Sequence, residues 1–181
     1  MFEKTLTGFL DEVGAKTSAP GGGAVAAVAV SLAAALTEMA AHFSGKQWDR
    51  ADEVATRARE LRTRAMPLAE ADAEAYSAVI EARGTPAYDE ALSRAADVPL
   101  AIAQAAADVG ELGAELAANG NPNLRGDAAT AALLAEAAAR AAANLVEINL
   151  ADKGGDERIA RAHDLASSAG AAARHALAPP P

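Results

Sequence analysis

Pro20-Gly21-Gly22-Gly23 runs straight into Ala24–Ala41, AVAAVAVSLAAALTEMAA. Proline lacks an N–H and glycine loses most conformational freedom on ordering, so these four residues form a turn and a helix follows them. Only Ser31, Thr37 and Glu38 are polar in that helix. A helix apolar nearly all round is either buried in a bundle or spans a membrane. The stretch is near the spanning minimum, but alanine supplies most of it and no second such segment exists. The sequence therefore predicts a buried, alanine-rich central helix, no membrane, and amphipathic helices packed around it.

Composition supports this. The 181 residues predict one domain over 1–178 with a frayed tail over 179–181. There are 54 alanines and only 3% aromatics, which favours helices packed closely through small side chains. A net charge of −9 with scattered cations argues against nucleic acid as a partner. No cysteine is present, which excludes disulfides and thiolate metal sites. Phe2-Glu3-Lys4 opens an amphipathic pattern and not a basic stretch before an apolar core, so the expected location is cytoplasmic.

Outward from the glycines, Phe2, Leu6, Phe9, Leu10 and Val13 recur at helical spacing and predict a first helix. After a connection over His42–Trp48, Asp49 is the expected N-cap of a charged helix reaching about Met66. Pro67 interrupts it, and Leu68–Arg83 resumes until Gly84. Thr85-Pro86 starts another helix, Val98-Pro99 predicts a break or kink, and Leu100–Ala118 follows. Asn119–Gly126 is the most loop-like stretch, with Asp127 as expected cap of a helix to about Leu150. Lys153-Gly154-Gly155 is a turn, and a last helix spans Asp156 to about Leu177. No strand-like alternation appears, so the fold class is an all-α helical bundle.

Acids, amides and glycines are the side chains that could carry chemistry. At about 100° per residue, Asp72 shares a face with Leu68, Ala75 and Val79, while Glu70, Glu74 and Glu81 lie opposite. A carboxylate on an apolar face is either a group with a raised pKa or a structural acid satisfied by an arginine or a backbone N–H. The same projection puts Asn144 between Leu133, Ala137, Ala141 and Ile148, with Asn149 at the border. Amides there serve a polar ligand or each other. The preceding loop gathers Asn121, Asn123, Arg125 and Asp127, which also suit a turn and a cap. The triple glycine would let a ligand approach bare backbone at a helix N-terminus, so valine at Gly22 should obstruct binding. It is neither a Walker A nor a dinucleotide fingerprint. His42, His163 and His175 have no metal-ligand spacing.

Read together, these stretches resemble the cyclodeaminase/cyclohydrolase family that acts on one-carbon tetrahydrofolates. The matching pieces are Pro20–Gly23 with the alanine-rich helix, Glu70–Tyr76 (EADAEAY), Val98-Pro99-Leu100, Gly120–Asp127 (GNPNLRGD), Asn144, and Ile148-Asn149-Leu150. They stand in family order and cover about residues 3 to 165. Two places depart from the family pattern: Ala24, where serine is usual, and Gly45-Lys46-Gln47-Trp48, where Gly-Lys-Lys-x-Tyr is usual. The resemblance implies a helical homodimer with its site near the subunit junction, a tetrahydrofolate derivative as substrate, and neither metal nor redox cofactor.

The resemblance also implies roles. Asp72 and Asp127 are the candidates to move protons and to stabilise a cationic amidine-like centre. Asn121, Asn144 and Asn149 suit the pterin edge, Gly21, Gly22 and Gly23 the backbone approach, and Lys46 or Arg125 the anionic glutamate tail. The lack of a formiminotransferase domain in this chain tilts the expectation toward hydrolysis of 5,10-methenyltetrahydrofolate. Cyclodeamination of 5-formiminotetrahydrofolate is the alternative, and a non-catalytic helical interaction protein on the same bundle is a third.

Overall fold

A computed structural model describes residues 5–151 and 154–179. The expectations on Phe2, Lys153, Pro180 and Pro181 lie outside the described residues. Within them the chain forms α1 (Leu6–Gly14), α2 (Gly22–His42), α3 (Ala51–Ala65), α4 (Leu68–Ala82), α5 (Tyr88–Ala95), α6 (Asp97–Asn119), α7 (Arg125–Asn149) and α8 (Glu157–Leu177), with one 3-10 turn over Pro122–Leu124. The all-α bundle is as expected.

Several boundaries differ from the sequence reading, each for a local reason. Pro99 does not break a helix: it is the third residue of α6, inside the first turn, where its missing N–H removes no intrahelical bond. The break falls instead at Ala96, between α5 and α6. Asp127 does not cap α7, which starts at Arg125 and carries Asp127 in its first turn. There the carboxylate faces the positive end of the helix without bonding an N–H as a cap would. Asp49 is not the cap of α3 either, since Arg50 holds that position without a side-chain bond. Thr85 accepts a hydrogen bond from the Ala87 N–H at 3.3 Å, but α5 begins only at Tyr88.

The core is built largely from alanine. α6 packs against α2, α3, α4, α5, α7 and α8 and is the hub of the bundle. Its tightest crossing is with α7, at Gly113, where an added Cβ would stand 3.0 Å from the Ala128 carbonyl oxygen and 3.2 Å from the Ala132 nitrogen. α2 is long and apolar enough to cross a membrane by length and composition alone. It packs instead on α3, α4, α6 and α7. Ala27, Val30, Ala33, Ala34 and Ala41 on that side are fully buried. Glu38, the one acid of α2, turns to α3 and meets Arg59 at 2.7 Å and Arg62 at 3.2 Å.

The other side of α2 is open in the protomer. Val25 is 41% exposed and Leu32 53%, with Val28, Ala29, Ala35, Leu36 and Met39 part-buried along the same stripe. α7 behaves alike: Leu133 is 42% and Ile148 58% exposed, with Ala137 and Ala141 exposed between them. α2 and α7 pack together antiparallel, since the turn after α2 bonds the loop before α7.

Candidate active site

Asp72 is placed by two helices. α4 carries it on the face that also holds Leu68 and Val79, and the glycine turn brings the start of α2 against it. Its Oδ2 accepts the Ala24 backbone N–H at 3.0 Å. The carboxylate lies flush on Gly23: a Cβ built there would be 2.0 Å from Oδ1 and 2.3 Å from Cγ. Gly23 therefore makes room for the acid, while a Cβ at Gly22 meets nothing within 4 Å. The close approach at the turn is side chain to backbone, and it occurs at Gly23; Gly22 lines the cavity beside it, where a larger side chain would enter the space expected for a ligand.

Both sequence readings of Asp72 hold a part of the geometry. It is satisfied by a backbone N–H, and it is also half-buried beside apolar side chains. Burial pushes its carboxyl above the ordinary range, against the Ala24 hydrogen bond that pulls it down. The Ala19–Pro20 peptide that leads into the turn is cis.

A cavity of about 300 Å³ opens over this acid. Gly21, Gly22 and Gly23 line it with Asp72, Tyr76, Leu145, Ile148 and Asn149. Asn149 donates its Nδ2 to the Ala95 carbonyl at 3.2 Å, which fixes the amide and leaves Oδ1 to accept from a ligand. Tyr76, Leu145 and Ile148 were not among the candidates read from the sequence. The signal was present: Tyr76 follows Asp72 by one helical turn, and Leu145 precedes Asn149 by one. The result is an acid and an amide acceptor set between one aromatic and two aliphatic walls, suited to a flat heterocycle with positive charge or N–H donors.

The remaining candidates lie elsewhere. Asn121 donates its backbone N–H to Ser44 Oγ at 2.9 Å and its Nδ2 to the Phe43 carbonyl at 3.1 Å. Its Oδ1 accepts from the Asn123 N–H at 3.1 Å, so the whole side chain braces the loop. Arg125 donates to the Ala178 carbonyl beyond α8. Lys46 is exposed in the turn after α2, and Asp127 is half-buried in the first turn of α7. These four gather at the end of the bundle away from Asp72. From Asp127 to Asn149 along α7 is about 33 Å at 1.5 Å per residue.

Asn144 is exposed and not on an inner face, which corrects its expected placement. It lines a separate groove of about 440 Å³ between α7 and α8, with Glu136, Arg140, Glu147, His163 and Arg174. That groove is larger, but its acids face basic groups, Glu136 toward Arg140 at 3.4 Å and Glu147 toward His163 at 3.4 Å, whereas among the described residues no cation lines the Asp72 cavity, so the Asp72 cavity is the better site for proton transfer.

Comparison with known proteins places this geometry among relatives. Residues 5–167 match the family model described as formiminotransferase-cyclodeaminase. The chain is 33% identical over 186 residues to a mouse formimidoyltransferase-cyclodeaminase, covering 93% of this chain and 34% of that protein. It thus spans about a third of the mouse enzyme's length. It is also 33% identical over 190 residues to a methenyltetrahydrofolate cyclohydrolase of Methylorubrum extorquens, covering 93% of this chain and 91% of that one. The crystal structure of a formiminotetrahydrofolate cyclodeaminase from Thermotoga maritima superposes with a TM-score of 0.90 at 27% identity, over 97% of this chain and 94% of that one.

Proposed function

The chain belongs to the formiminotransferase-cyclodeaminase family, and from that premise we propose that it hydrolyses 5,10-methenyltetrahydrofolate to 10-formyltetrahydrofolate, with Asp72 moving the proton. The observation that carries this is the carboxylate of Asp72, half-buried at the start of α2 with its pKa raised by burial. The substrate carries a delocalised positive charge on the N5–C–N10 bridge. A fixed anion beside that bridge binds it and stabilises its positive charge, worth about 4 kcal/mol at 4 Å and an effective dielectric of 20.

In this reading water attacks the bridge carbon and Asp72 accepts its proton, giving a neutral hydroxy adduct. The proton then passes from Asp72 to N5 as the C–N5 bond breaks, and the hydroxyl proton leaves as the formyl group forms on N10. One water is consumed and one proton is released. Burial raises the pKa of Asp72, and this makes it a stronger base toward the water proton than an exposed aspartate. Asn149 Oδ1 accepts from the pterin, and Tyr76 and Ile148 flank its ring.

Cyclodeamination of 5-formiminotetrahydrofolate is the second reading, favoured by the likeness to the Thermotoga enzyme. It passes through a similar cationic bridge and needs a proton delivered to the departing ammonia. At equal identity the chain covers 91% of the Methylorubrum cyclohydrolase against 34% of the mouse enzyme, and this puts hydrolysis first. Purified protein should speed the loss of near-ultraviolet absorbance of 5,10-methenyltetrahydrofolate. Ammonia release from 5-formiminotetrahydrofolate, with no such loss, would reverse the order, and silence in both assays would leave the non-catalytic reading.

The working unit in this proposal is a homodimer. The open stripe of α2 is apolar and free of charge over about 30 Å, and α7 beside it exposes Leu133, Ala137, Ala141 and Ile148 together with the amide of Asn144. A second copy is the occupant that an isologous face of this kind fits.

A further inference from the structure

We propose that the amide of Asn149 is aimed from outside the cavity, with Arg158 as a positioning residue that holds its anchor in place. This rests on the folate reading, in which Asn149 Oδ1 accepts from the pterin.

The anchor is the Ala95 carbonyl, which accepts the Asn149 Nδ2 at 3.2 Å. A carbonyl only accepts, so the amide must turn its NH2 toward it and its oxygen elsewhere. Ala95 is itself part of the cavity lining. Its carbonyl is open because of Pro99. Ala96, between α5 and α6, has helical backbone at φ −74° and ψ −22°, and its carbonyl accepts the Leu100 N–H at 3.2 Å. By the same four-residue step the Ala95 carbonyl would take an N–H from residue 99, and proline has none. Asn149 fills that gap in the ladder.

α5 has little packing of its own with which to hold the carbonyl still. It is eight residues long, and Ala95 is its buried residue. Arg158, the second residue of α8, reaches across to its last turn. Nη1 donates to the Ser93 carbonyl at 2.8 Å and to Asp97 Oδ1 at 2.7 Å. Nη2 donates to Ser93 Oγ at 2.9 Å and to Asp156 Oδ2 at 2.8 Å, and Nε to Asp156 Oδ1 at 3.0 Å. Every N–H of the guanidinium is thereby engaged. Asp156 is also the cap of α8 and accepts the Arg158 backbone N–H at 3.0 Å. The rigid fork therefore ties Ser93, two residues before Ala95, to the start of α8. Arg158 lies outside the cavity lining, so it acts on a ligand through Asn149.

A double-mutant cycle tests this. Asn149→Ala and Arg158→Ala should each raise KM for 5,10-methenyltetrahydrofolate about 10-fold, the scale of one hydrogen bond lost on binding, with kcat unchanged. The double variant should also stand at about 10-fold, because the second change removes nothing that the first has left. Pro99→Ala approaches the anchor from its other side: it supplies an N–H to the Ala95 carbonyl, frees the amide and should raise KM likewise. Arg158→Gln, which keeps one NH2 for Ser93, takes the place of Arg158→Ala if the alanine variant does not fold. An unchanged KM in folded Arg158 variants, or a double variant near 100-fold, would overturn the inference. A readout without turnover stands beside the cycle. The side-chain amide signal of Asn149 in NMR spectra, assigned by its loss in Asn149→Ala, should shift in the Arg158 and Pro99 variants. Absence of wild-type turnover would fault the folate reading alone, whereas an unmoved amide signal would end the role of Arg158 whatever the substrate.

Discussion

Gly23 and Asp72 are fitted to each other, and their coupling gives two predictions at the scale of single residues. An alanine at position 23 puts its Cβ into the carboxylate, so the acid must swing away from the Ala24 N–H. Gly23→Ala should cost about 10²-fold in turnover, comparable to Asp72→Asn, the scale for a displaced acid or base. Gly22→Val should leave the carboxylate in place. Steady-state kinetics on folded variants checks both, and a fully active Gly23→Ala protein would contradict the geometry. The second prediction concerns pH. The carboxyl of Asp72 is raised by burial, outweighing the Ala24 hydrogen bond. A raised acid favours its protonated form in the folded state. Its stabilising contribution is full below the unfolded value of about 3.9 and is lost as pH rises through the folded value. At neutral pH the ionised group therefore strains the fold that it serves. Asp72→Asn should melt no lower than wild type at pH 7, and the gap should close or reverse toward pH 3. Wild-type turnover should rise with pH through a value above the ordinary aspartate range, as the base ionises. A variant that melts well below wild type at pH 7 would mark Asp72 as mainly structural.

α7 shows what a sequence gives at the scale of an element. Its helical period was legible, and so was which residues share a side: Leu133, Ala137, Ala141, Asn144 and Ile148 do lie on one face. Which face turns inward was not legible. Bulky residues were expected inside, yet the buried side is Ala128, Ala131, Ala132, Ala135, Ala139, Ala142 and Val146. The physical reason is separation: helices whose contacts are alanine and glycine come closer than Leu133 or Ile148 would permit. Gly113 records this, with an imagined Cβ at 3.0 Å from the Ala128 carbonyl. Gly113→Val should destabilise by about 1–3 kcal/mol through overpacking, read as a lower urea midpoint at unchanged slope. Wild-type stability in that variant would mean that the α6–α7 crossing has slack. The site was legible in the same uneven way. Asp72, Asn149 and the glycines were found because local pattern marks an acid or amide on an apolar face. The bracing role of Asn121 was not legible, because its partners, Ser44 and Phe43, are 77 and 78 residues away in sequence.

The misplaced bulk of α7 and the open stripe of α2 have one explanation at the scale of the whole molecule. Leu133 and Ile148 on α7, and Val25 and Leu32 on α2, are exposed in one chain, and the proposed homodimer would give them a packing partner. Burying apolar area contributes about 25 cal/mol per Å², so covering these stripes is a favourable term set against the cost of association. The alanine core makes this contribution matter, since alanine buries little area per residue and leaves the protomer marginal alone. The homodimer should accordingly melt at a temperature that rises with protein concentration, because association binds the folded form only. Leu32→Arg places a charge at the centre of the face and should give a monomer that melts lower and without concentration dependence. An arginine at an exposed site away from the two stripes should do neither. Light scattering and melts across a hundredfold range of concentration test this. A wild-type protein of monomeric mass at low micromolar concentration, melting at one fixed temperature, would refute the dimer. Asp72 would keep whatever activity the folate assays assign to it.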